Sequence, residues 1–224
     1  MGNSMRLVIG NKRYSSWSFR PWIGLTMAGI PFEETLIPLD TPSFKETALR
    51  YSPTGKVPCL IDGDAIVWES LAILEYAADR FPDRGMWPAD PVARARGRSI
   101  SCEMISGFSG LRSANPMNFR TVFAHRDWGE AARRDVKRIT ALWAETRAAF
   151  GAGGPFLFGK AFTIADAMFA PVTQRLTGYS WPMDAGTAAY VEAVQSTHAF
   201  QAWKAAADQE PWIVDADEIE PVKG

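Results

Sequence analysis

Two different periodicities divide this chain. Short apolar runs alternate with helical patterns over residues 1–80, whereas helical periodicity alone follows. The first part therefore predicts four strands and three helices in the order β-α-β-α-β-β-α. The predicted strands are Arg6–Gly10, Phe32–Pro38, Cys59–Ile61 and Ile66–Trp68, and the predicted helices are Phe19–Ala28, Ser43–Arg50 and Glu69–Arg80.

The connections limit how these strands pair. The Asp62-Gly63-Asp64 turn is short enough to join the last two strands as an antiparallel hairpin. The helix between the first two strands makes them parallel, because a parallel pair needs such a crossover. This order and pairing predict a thioredoxin-like α/β domain.

A change in pattern marks the end of that domain. Prolines and a glycine interrupt both periodicities between Phe81 and Pro91. We therefore expect the α/β domain over residues 1–80, a linker over 81–90 and an all-α helical bundle over 91–224. The predicted helices of the bundle are Pro91–Gly107, Gly129–Phe150, Thr163–Thr177, Ala188–Gln195 and Ala199–Gln209.

Composition argues against several classes of protein. The net charge is −1 without a long basic block, so neither nucleic acid nor a membrane surface is expected as a partner. No apolar run approaches the ~18 residues of a membrane span, and Met1–Arg6 lacks the apolar part of a signal peptide; we expect a cytoplasmic protein. Cys59 and Cys102 lie too far apart for dithiol chemistry. His125 and His198 have no partners at ligand spacing, so no metal is predicted.

A polar turn with three serines follows the first strand. Ser18, with a proline three residues later, predicts a helix cap and an early-helix proline. A helix N-terminus stabilises anions, and a thiolate is an anion. A hydroxyl of Ser15 or Ser16 would therefore favour the ionised form of a thiol bound at this turn.

Val57-Pro58 directly precedes the third strand. A proline there indicates a cis peptide bond or an edge strand. In a thioredoxin-like fold a cis proline exposes the groups before it, so the backbone of Val57 would bind an extended peptide as a strand does. The alternative is an ordinary turn proline.

Glu69 and Ser70 end the fourth strand and open a helix. The amide of Ser70 would receive a ligand carboxylate at the helix N-terminus, and Glu69 would pair with a ligand ammonium. The alternative is that the two residues only cap the helix.

Taken together, these segments resemble a cytosolic glutathione transferase over nearly the whole chain. The resemblance rests on the serines of the first turn, the Ser52–Pro58 run and Glu69-Ser70. In the helical half, Thr163 and Asp166 match the family's capping box, an S/T-x-x-D pattern that satisfies two amides at a helix start.

The resemblance implies glutathione as the bound thiol, used as a co-substrate without a metal. It implies that Ser15 or Ser16 activates the thiol, and that such proteins pair as homodimers. The glutathione-binding residues would be Trp17, Lys56, Val57, Pro58, Glu69 and Ser70.

Among the classes of this family, the zeta class is nearest, in the form of a bacterial serine-type member. Ser15 matches the proposed catalytic serine of that class, with Ser16 as its competitor. Two departures separate the chain from zeta-type maleylacetoacetate isomerases. Trp17 replaces a cysteine, and the position of the class's substrate-binding arginine falls on Gly178, with Arg175 almost one helical turn earlier.

A second segment breaks the helical pattern after the bundle's first helix. We expect it to be non-helical and to roof a pocket for the second substrate; the alternative is a connector whose arginines pair with carboxylates. The candidate residues of this pocket are Arg112, Asn115, Met117 and, from a later helix, Arg175.

The expected function is that of a glutathione transferase, in which the thiolate attacks a small hydrophobic electrophile. Two alternatives share the thiolate, namely a zeta-like isomerase and a dehalogenase. A third is a non-catalytic binding module built on the same fold.

Overall fold

A computed structural model describes residues 4–219 of the chain. Within this range it contains four strands and nine α-helices. The strands are β1 Arg6–Ile9, β2 Glu33–Leu36, β3 Cys59–Asp62 and β4 Ala65–Trp68; the helices are α1 Ser16–Met27, α2 Phe44–Leu49, α3 Ser70–Arg80, α4 Pro91–Ser106, α5 Ser109–Ala114, α6 Glu130–Phe150, α7 Ile164–Gly178, α8 Ala185–Gln195 and α9 His198–Asp208.

The four strands form one mixed sheet in the order β2-β1-β3-β4. β1 and β2 are parallel, whereas β1 with β3 and β3 with β4 are antiparallel. Gly63 closes the β3–β4 hairpin with a φ of 59°, a conformation that glycine adopts readily. The predicted thioredoxin-like domain, followed by an all-α half, is confirmed.

Helix α1 begins earlier than the sequence pattern indicated. Its N-cap is Ser15, because the Oγ of Ser15 accepts the main-chain N–H of Ser18 at 3.3 Å. The helix therefore starts at Ser16, and Pro21 lies inside it. The prediction of Ser18 as the cap, with an early-helix proline, was wrong.

Helix α7 lies at the centre of the core. Its sequence is apolar on nearly every side, and all of its residues except Thr177 are buried. Helix α1 packs between α7 and α3 at a point where Gly24 permits close approach. A Cβ on Gly24 would lie 2.4 Å from Cδ2 of Leu74 and 3.3 Å from Cβ of Ala167. Both halves of the chain consequently share one hydrophobic core.

The capping box predicted at the start of α7 is present. The main-chain N–H of Thr163 donates to Oδ2 of Asp166 at 2.8 Å, and that of Leu157 donates to Oδ1 at 3.0 Å. Burial raises the pKa of the Asp166 carboxyl, although these donors oppose the effect. The box fixes the start of the helix and the loop before it.

The segment around Arg112 was expected to be non-helical, and this was wrong in part. Ser109–Ala114 form helix α5, and irregular backbone begins only at Asn115. A six-residue helix is too short to show an apolar period.

Other elements keep their predicted type and differ at their ends. β2 is shorter than predicted because its only partner in the described sheet, β1, is itself four residues long. Helix α8 begins at Ala185 rather than Ala188, because Asp184 caps it by accepting the N–H of Thr187 at 2.7 Å. The domain and linker bounds remain a prediction.

Candidate active site

Two clefts lie beside Trp17, one between the α/β domain and the helical half and one within the α/β domain. The larger has a volume of about 420 Å³, and the starts of α1 and α5 together with α7 contribute to its walls. The smaller, of about 220 Å³, runs between the segment before β3 and the start of α3. Trp17, Lys56 and Val57 line both clefts.

The serines of the first turn contribute to the larger cleft in different ways. The Ser15 hydroxyl donates to Oγ of Ser18 at 2.8 Å, and Ser18 Oγ also accepts the main-chain N–H of Gly10 at 3.0 Å. Ser16 Oγ accepts a long hydrogen bond of 3.5 Å from Nη2 of Arg175. Ser15 and Ser16 both line the cleft, whereas Ser18 is fully buried behind them.

Pro21 leaves one carbonyl of α1 without its usual donor, and Ser70 supplies a replacement. In an α-helix, residue 21 of this chain would donate its N–H to the carbonyl of Trp17, four residues earlier, but proline has no N–H. The Ser70 hydroxyl donates to that carbonyl instead, at 2.7 Å, and thereby joins α3 to α1. The main-chain N–H of Ser70 belongs to the first turn of α3, which has no intrahelical acceptor for it.

The segment before β3 has the predicted geometry. The Val57-Pro58 peptide bond is cis. Val57 is half-buried and lines both clefts, and Lys56 beside it is exposed. The thiol of Cys59, the next residue, is buried, and this burial raises its pKa.

Glu69 holds an unusual backbone conformation. Its φ is 70° and its ψ is 129°, a combination that costs a residue with a Cβ about 1–3 kcal/mol. Glu69 is the N-cap of α3 and its side chain is exposed at the smaller cleft. Strain of this kind is found where a site requires a particular backbone path.

Three arginines lie close enough together for their charges to interact and are here called the arginine cluster: Arg20, Arg112 and Arg175. The guanidinium carbon of Arg20 lies 4.3 Å from the centre of the Trp17 ring, and that of Arg112 lies 4.7 Å from it. Nε of Arg20 donates to the carbonyl of Met168 at 2.9 Å, and Nε of Arg175 to that of Asn115 at 2.8 Å.

Arg20 and Arg175 are buried, Arg112 is half-buried, and the charges of the three arginines repel one another. Desolvation, followed by the charge of Arg112, lowers the pKa of Arg175 to about 10. Desolvation, followed by the charges of Arg175 and Arg112, lowers the pKa of Arg20. No member of the cluster forms an ion pair with a carboxylate of residues 4–219.

A segment near the C-terminus closes one side of the larger cleft. The Glu210 carboxylate accepts the main-chain N–H groups of Lys12 and Arg13 at 2.8 and 3.1 Å. Tyr14 donates to Oε1 of Glu218 at 2.5 Å. These bonds hold residues 210–218 against the turn before Ser15 and bring Asp217 into the cleft wall.

The residues predicted for the second pocket divide into two groups. Arg112, Met117 and Arg175 line the larger cleft. Asn115 is fully buried and does not line it; its carbonyl accepts from Arg175, and its Oδ1 accepts from Nε1 of Trp181 at 2.9 Å.

Tyr14 and Asp217 are among the residues of the cleft wall that sequence reasoning did not identify. Tyr14 precedes Ser15, so its position beside the turn was a usable signal. Burial, followed by its hydrogen bond to Glu218, raises the pKa of Tyr14 to about 12. Asp217 comes from the far end of the chain and has no motif around it.

Neither a metal-binding cluster nor a membrane-spanning helix is present in the described part of the chain. Residues 4–219 hold no group of three or more histidine, cysteine, aspartate or glutamate side chains arranged to bind a metal ion. None of the helices in this range is both long enough and apolar enough to cross a membrane.

Known proteins are similar to this chain in sequence and in fold. The family model for the glutathione S-transferase N-terminal domain matches residues 14–80, and that for the C-terminal domain matches residues 124–208. The maleylacetoacetate isomerase of Rhizobium meliloti (strain 1021) is 32% identical over 180 residues, which are 76% of this chain and 80% of that protein. The probable maleylacetoacetate isomerase of Caenorhabditis elegans is 29% identical over 159 residues, which are 70% and 73% of the two chains.

A solved structure gives the same result for the fold. The glutathione transferase homolog from Burkholderia gl BGR1, crystallised with bound glutathione, superposes with a TM-score of 0.72 at 23% identity. The match covers 93% of this chain and all of that one, 100%. With both family models matched in order along the sequence, the chain belongs to the glutathione S-transferase family.

Proposed function

We propose that this protein is a glutathione transferase that ionises the thiol of bound glutathione for attack on an electrophilic co-substrate. The observation that carries the proposal is the Ser15–Ser16 pair at the start of α1, in the wall of a cleft that shares Trp17, Lys56 and Val57 with the smaller cleft. Membership of the family supports glutathione as the ligand.

Glutathione would lie along the smaller cleft with its sulfur at the larger one. The main chain of Val57 would pair with the tripeptide backbone as a neighbouring strand does. The N–H of Ser70 and the dipole of α3 would receive one carboxylate, and Glu69 the ammonium. Lys56 would receive the other carboxylate. Trp17, shared by both clefts, would lie beside the thiol end.

Ser15 has better hydrogen-bond support than Ser16 for stabilising a thiolate. When a thiolate binds, the Ser15 hydroxyl can turn its hydrogen to the sulfur while the Ser18 hydroxyl turns its own to Ser15, since hydroxyl hydrogens rotate freely. Ser18 stays anchored by the N–H of Gly10. Ser16 would have only the long bond from Arg175 behind it.

A serine hydrogen bond and the N-terminus of α1 are together strong enough to ionise the thiol of glutathione near neutral pH. A free thiol has a pKa near ~8.5, and lowering it by about two units needs ~2.7 kcal/mol of preferential stabilisation of the anion. One hydrogen bond to a charge supplies about 1.5–3 kcal/mol and the helix N-terminus up to about 1 kcal/mol. The site therefore needs no further group for this step.

In the transferase reaction, the sulfur of glutathione forms a bond to an electrophilic carbon of the co-substrate. The bond from that carbon to a leaving group breaks and the group departs with the electron pair; where the carbon belongs to an activated double bond, water supplies a proton instead. The thiol proton leaves to solvent when the thiolate forms.

A zeta-like isomerase is the second candidate, because both relatives named above carry maleylacetoacetate isomerase in their names. Gly178, the position aligned with the zeta-class arginine, does not line the larger cleft. A Cβ there would meet the carbonyl oxygens of Asn118 and Thr121 at 3.8 Å. Arg175 does line the cleft and would have to replace that arginine.

Two further properties belong to the proposal and rest on family resemblance. We expect a two-fold homodimer and a cytoplasmic location. Size-exclusion chromatography with light scattering tests the dimer, and cell fractionation tests the location.

The thiolate absorbance of enzyme-bound glutathione, measured against pH, tests the proposed function. We expect an apparent pKa about two units below that of free glutathione, raised by one to two units in Ser15→Ala and changed little in Ser16→Ala. Ser15→Gly also lacks the hydroxyl but keeps most of the capping preference, so it separates thiol ionisation from helix stability. A titration that Ser15→Ala and Ser16→Ala both leave unchanged would eliminate the serine role.

A further inference from the structure

A separate cavity of about 350 Å³ lies in the helical half, between α6 and the start of α8. None of the residues in its wall lines either cleft of the candidate active site. Helix α6 contributes Trp143 and Arg147, and α8 contributes Gly186 and Tyr190. Residues four apart lie on the same face of a helix, so each helix turns one face toward the cavity.

The indole N–H of Trp143 has no acceptor among residues 4–219, although this side chain is only 1% exposed. Four tryptophans of the chain are buried. The other three each donate their indole N–H to an oxygen atom: Trp128, Trp181 and Trp203. A buried indole N–H normally finds a partner, because a buried donor without one is costly. Trp143 is therefore the exception among the buried tryptophans.

Arg147 brings a second free donor to the same cavity. Its Nε is buried and has no acceptor within residues 4–219. Its Nη1 donates to the carbonyl of Gly186 at 3.0 Å, which fixes the guanidinium between α6 and α8. Arg147 forms no ion pair with an acidic side chain of the described range. A cation and an indole N–H thus both lack an acceptor here.

Asp184, the one acidic residue in the cavity wall, is engaged by α8 rather than by Arg147. It is the N-cap of that helix, and its Oδ1 accepts the main-chain N–H of Thr187 at 2.7 Å. Hydrogen bonds from the main chain and side chain of Thr187, and from the N–H of Gly186, hold the pKa of Asp184 below its usual range. Arg147 and Trp143 consequently need an acceptor from outside the described chain.

We propose that this cavity binds a small aromatic carboxylate, whose oxygens accept Nε of Arg147 and the indole N–H of Trp143. The site lies outside the thiol chemistry proposed above and is a second ligand site of the protein. The ring of the ligand lies in the remaining space between α6 and α8.

The cavity suits such a ligand in charge, surface and size. A carboxylate supplies both the negative charge and the acceptor lone pairs that the two donors lack. Trp143 and Tyr190 provide aromatic wall surface, and their rings pack edge to face with centres 4.7 Å apart. A volume of about 350 Å³ is at the small end of ligand-binding pockets.

A single ordered water is the simpler occupant. One water could accept both N–H groups, but it would leave the charge of Arg147 without a counter-charge. It would also fill little of the cavity, because a water molecule takes up only about 30 Å³. The two occupants differ in what an added carboxylate does.

Two bromine-labelled compounds test the site, namely 4-bromobenzoate and its neutral analogue 4-bromobenzamide. Calorimetry with the full-length protein gives the Kd of each. We expect saturable binding of the benzoate below about 5 mM, as for a ligand of this size, and at least about tenfold weaker binding of the amide. In a crystal soaked with the benzoate, the anomalous signal of bromine should lie between α6 and α8.

Three variants locate the binding. Arg147→Gln should remove most of the preference for the benzoate over the amide. Gly186→Leu should abolish binding of both, because a Cβ on Gly186 meets only Oδ1 of Asp184, at 3.5 Å, and a longer side chain would occupy the cavity without removing a donor. Ala189→Leu is the matched control, since Ala189 lies on the same helix but is exposed and does not line the cavity. Circular dichroism checks that each variant is folded.

The inference would be overturned by equal affinities for the two compounds, or by no saturable binding up to about 5 mM. Bromine found only outside the cavity, or an ordered water retained there in the soaked crystal, would also overturn it. The same holds if folded Gly186→Leu binds the benzoate as the wild type does. Because the cavity shares no residue with the two clefts, none of these results depends on how the serine turn acts.

Discussion

The contact between Ser70 and the Trp17 carbonyl should be measurable as a coupling between Ser70 and Pro21. The carbonyl lacks its helical partner because residue 21 is a proline, and the Ser70 hydroxyl donates to it at 2.7 Å. In Ser70→Ala the carbonyl of the half-buried Trp17 loses this donor. Because the acceptor is partly shielded from water, we expect a loss of about 1–2 kcal/mol in the free energy of unfolding.

Pro21→Ala restores an N–H that donates to the Trp17 carbonyl along the helix. In that background Ser70→Ala removes only one of two donors, so its cost should fall by about 1 kcal/mol or more. The greater flexibility of the unfolded chain without the proline cancels, because it enters both arms of the cycle. Each of the four proteins is unfolded in urea, and the free energies are compared at zero denaturant.

The size of the coupling between Ser70 and Pro21 shows whether the Ser70 hydroxyl replaces the missing helical hydrogen bond. Additive effects, within about 0.3–0.5 kcal/mol, would mean that Ser70 does not substitute for the missing helical hydrogen bond. Glutathione binding supplies a second readout: Ser70→Ala should weaken it in the native background and less so in Pro21→Ala, since α3 is then held without the hydroxyl.

Two other substitutions test the backbone around the clefts. Glu69→Gly should raise the free energy of unfolding by roughly 1 kcal/mol, because glycine relieves a strain of about 1–3 kcal/mol but loses more entropy on folding. The same substitution should weaken glutathione binding, because it removes the carboxylate. Thermal unfolding measures the first effect and calorimetry the second, and a destabilised Glu69→Gly would contradict the strain argument. Gly24→Ala should destabilise the protein by about 1–3 kcal/mol through the clash with Leu74. In the control Gly186→Ala the added methyl group meets only Asp184, at 3.5 Å, and should change little; equal effects of the two alanines on urea unfolding would refute the packing argument.

The sequence predicted those parts of the fold that depend on local pattern. The order of strands and helices along the chain, the Asp62–Asp64 hairpin and the capping box at Thr163 follow from periodicity and turn chemistry, and the structure contains them. The position of Pro58 directly ahead of a strand indicated a cis bond or an edge strand, and the bond is cis. Each of these features is decided by neighbouring residues, which is why one sequence was enough.

Other features depend on contacts across the fold and were not predictable in this way. Ser15 and Ser18 are both good N-caps by residue type, and only the path of the chain selects Ser15. Sequence places Asp217 far from Arg175, and only the packing of residues 210–218 against the first turn brings them to one cleft. The burial of Arg20 beneath Trp17 likewise has no local signal.

A crystal structure of the protein with glutathione bound tests the central claim most directly, because the claim concerns which group the sulfur touches. We predict the sulfur within hydrogen-bonding distance of the Ser15 Oγ, with the tripeptide backbone paired to Val57. A sulfur out of contact with both Ser15 and Ser16 would contradict the account.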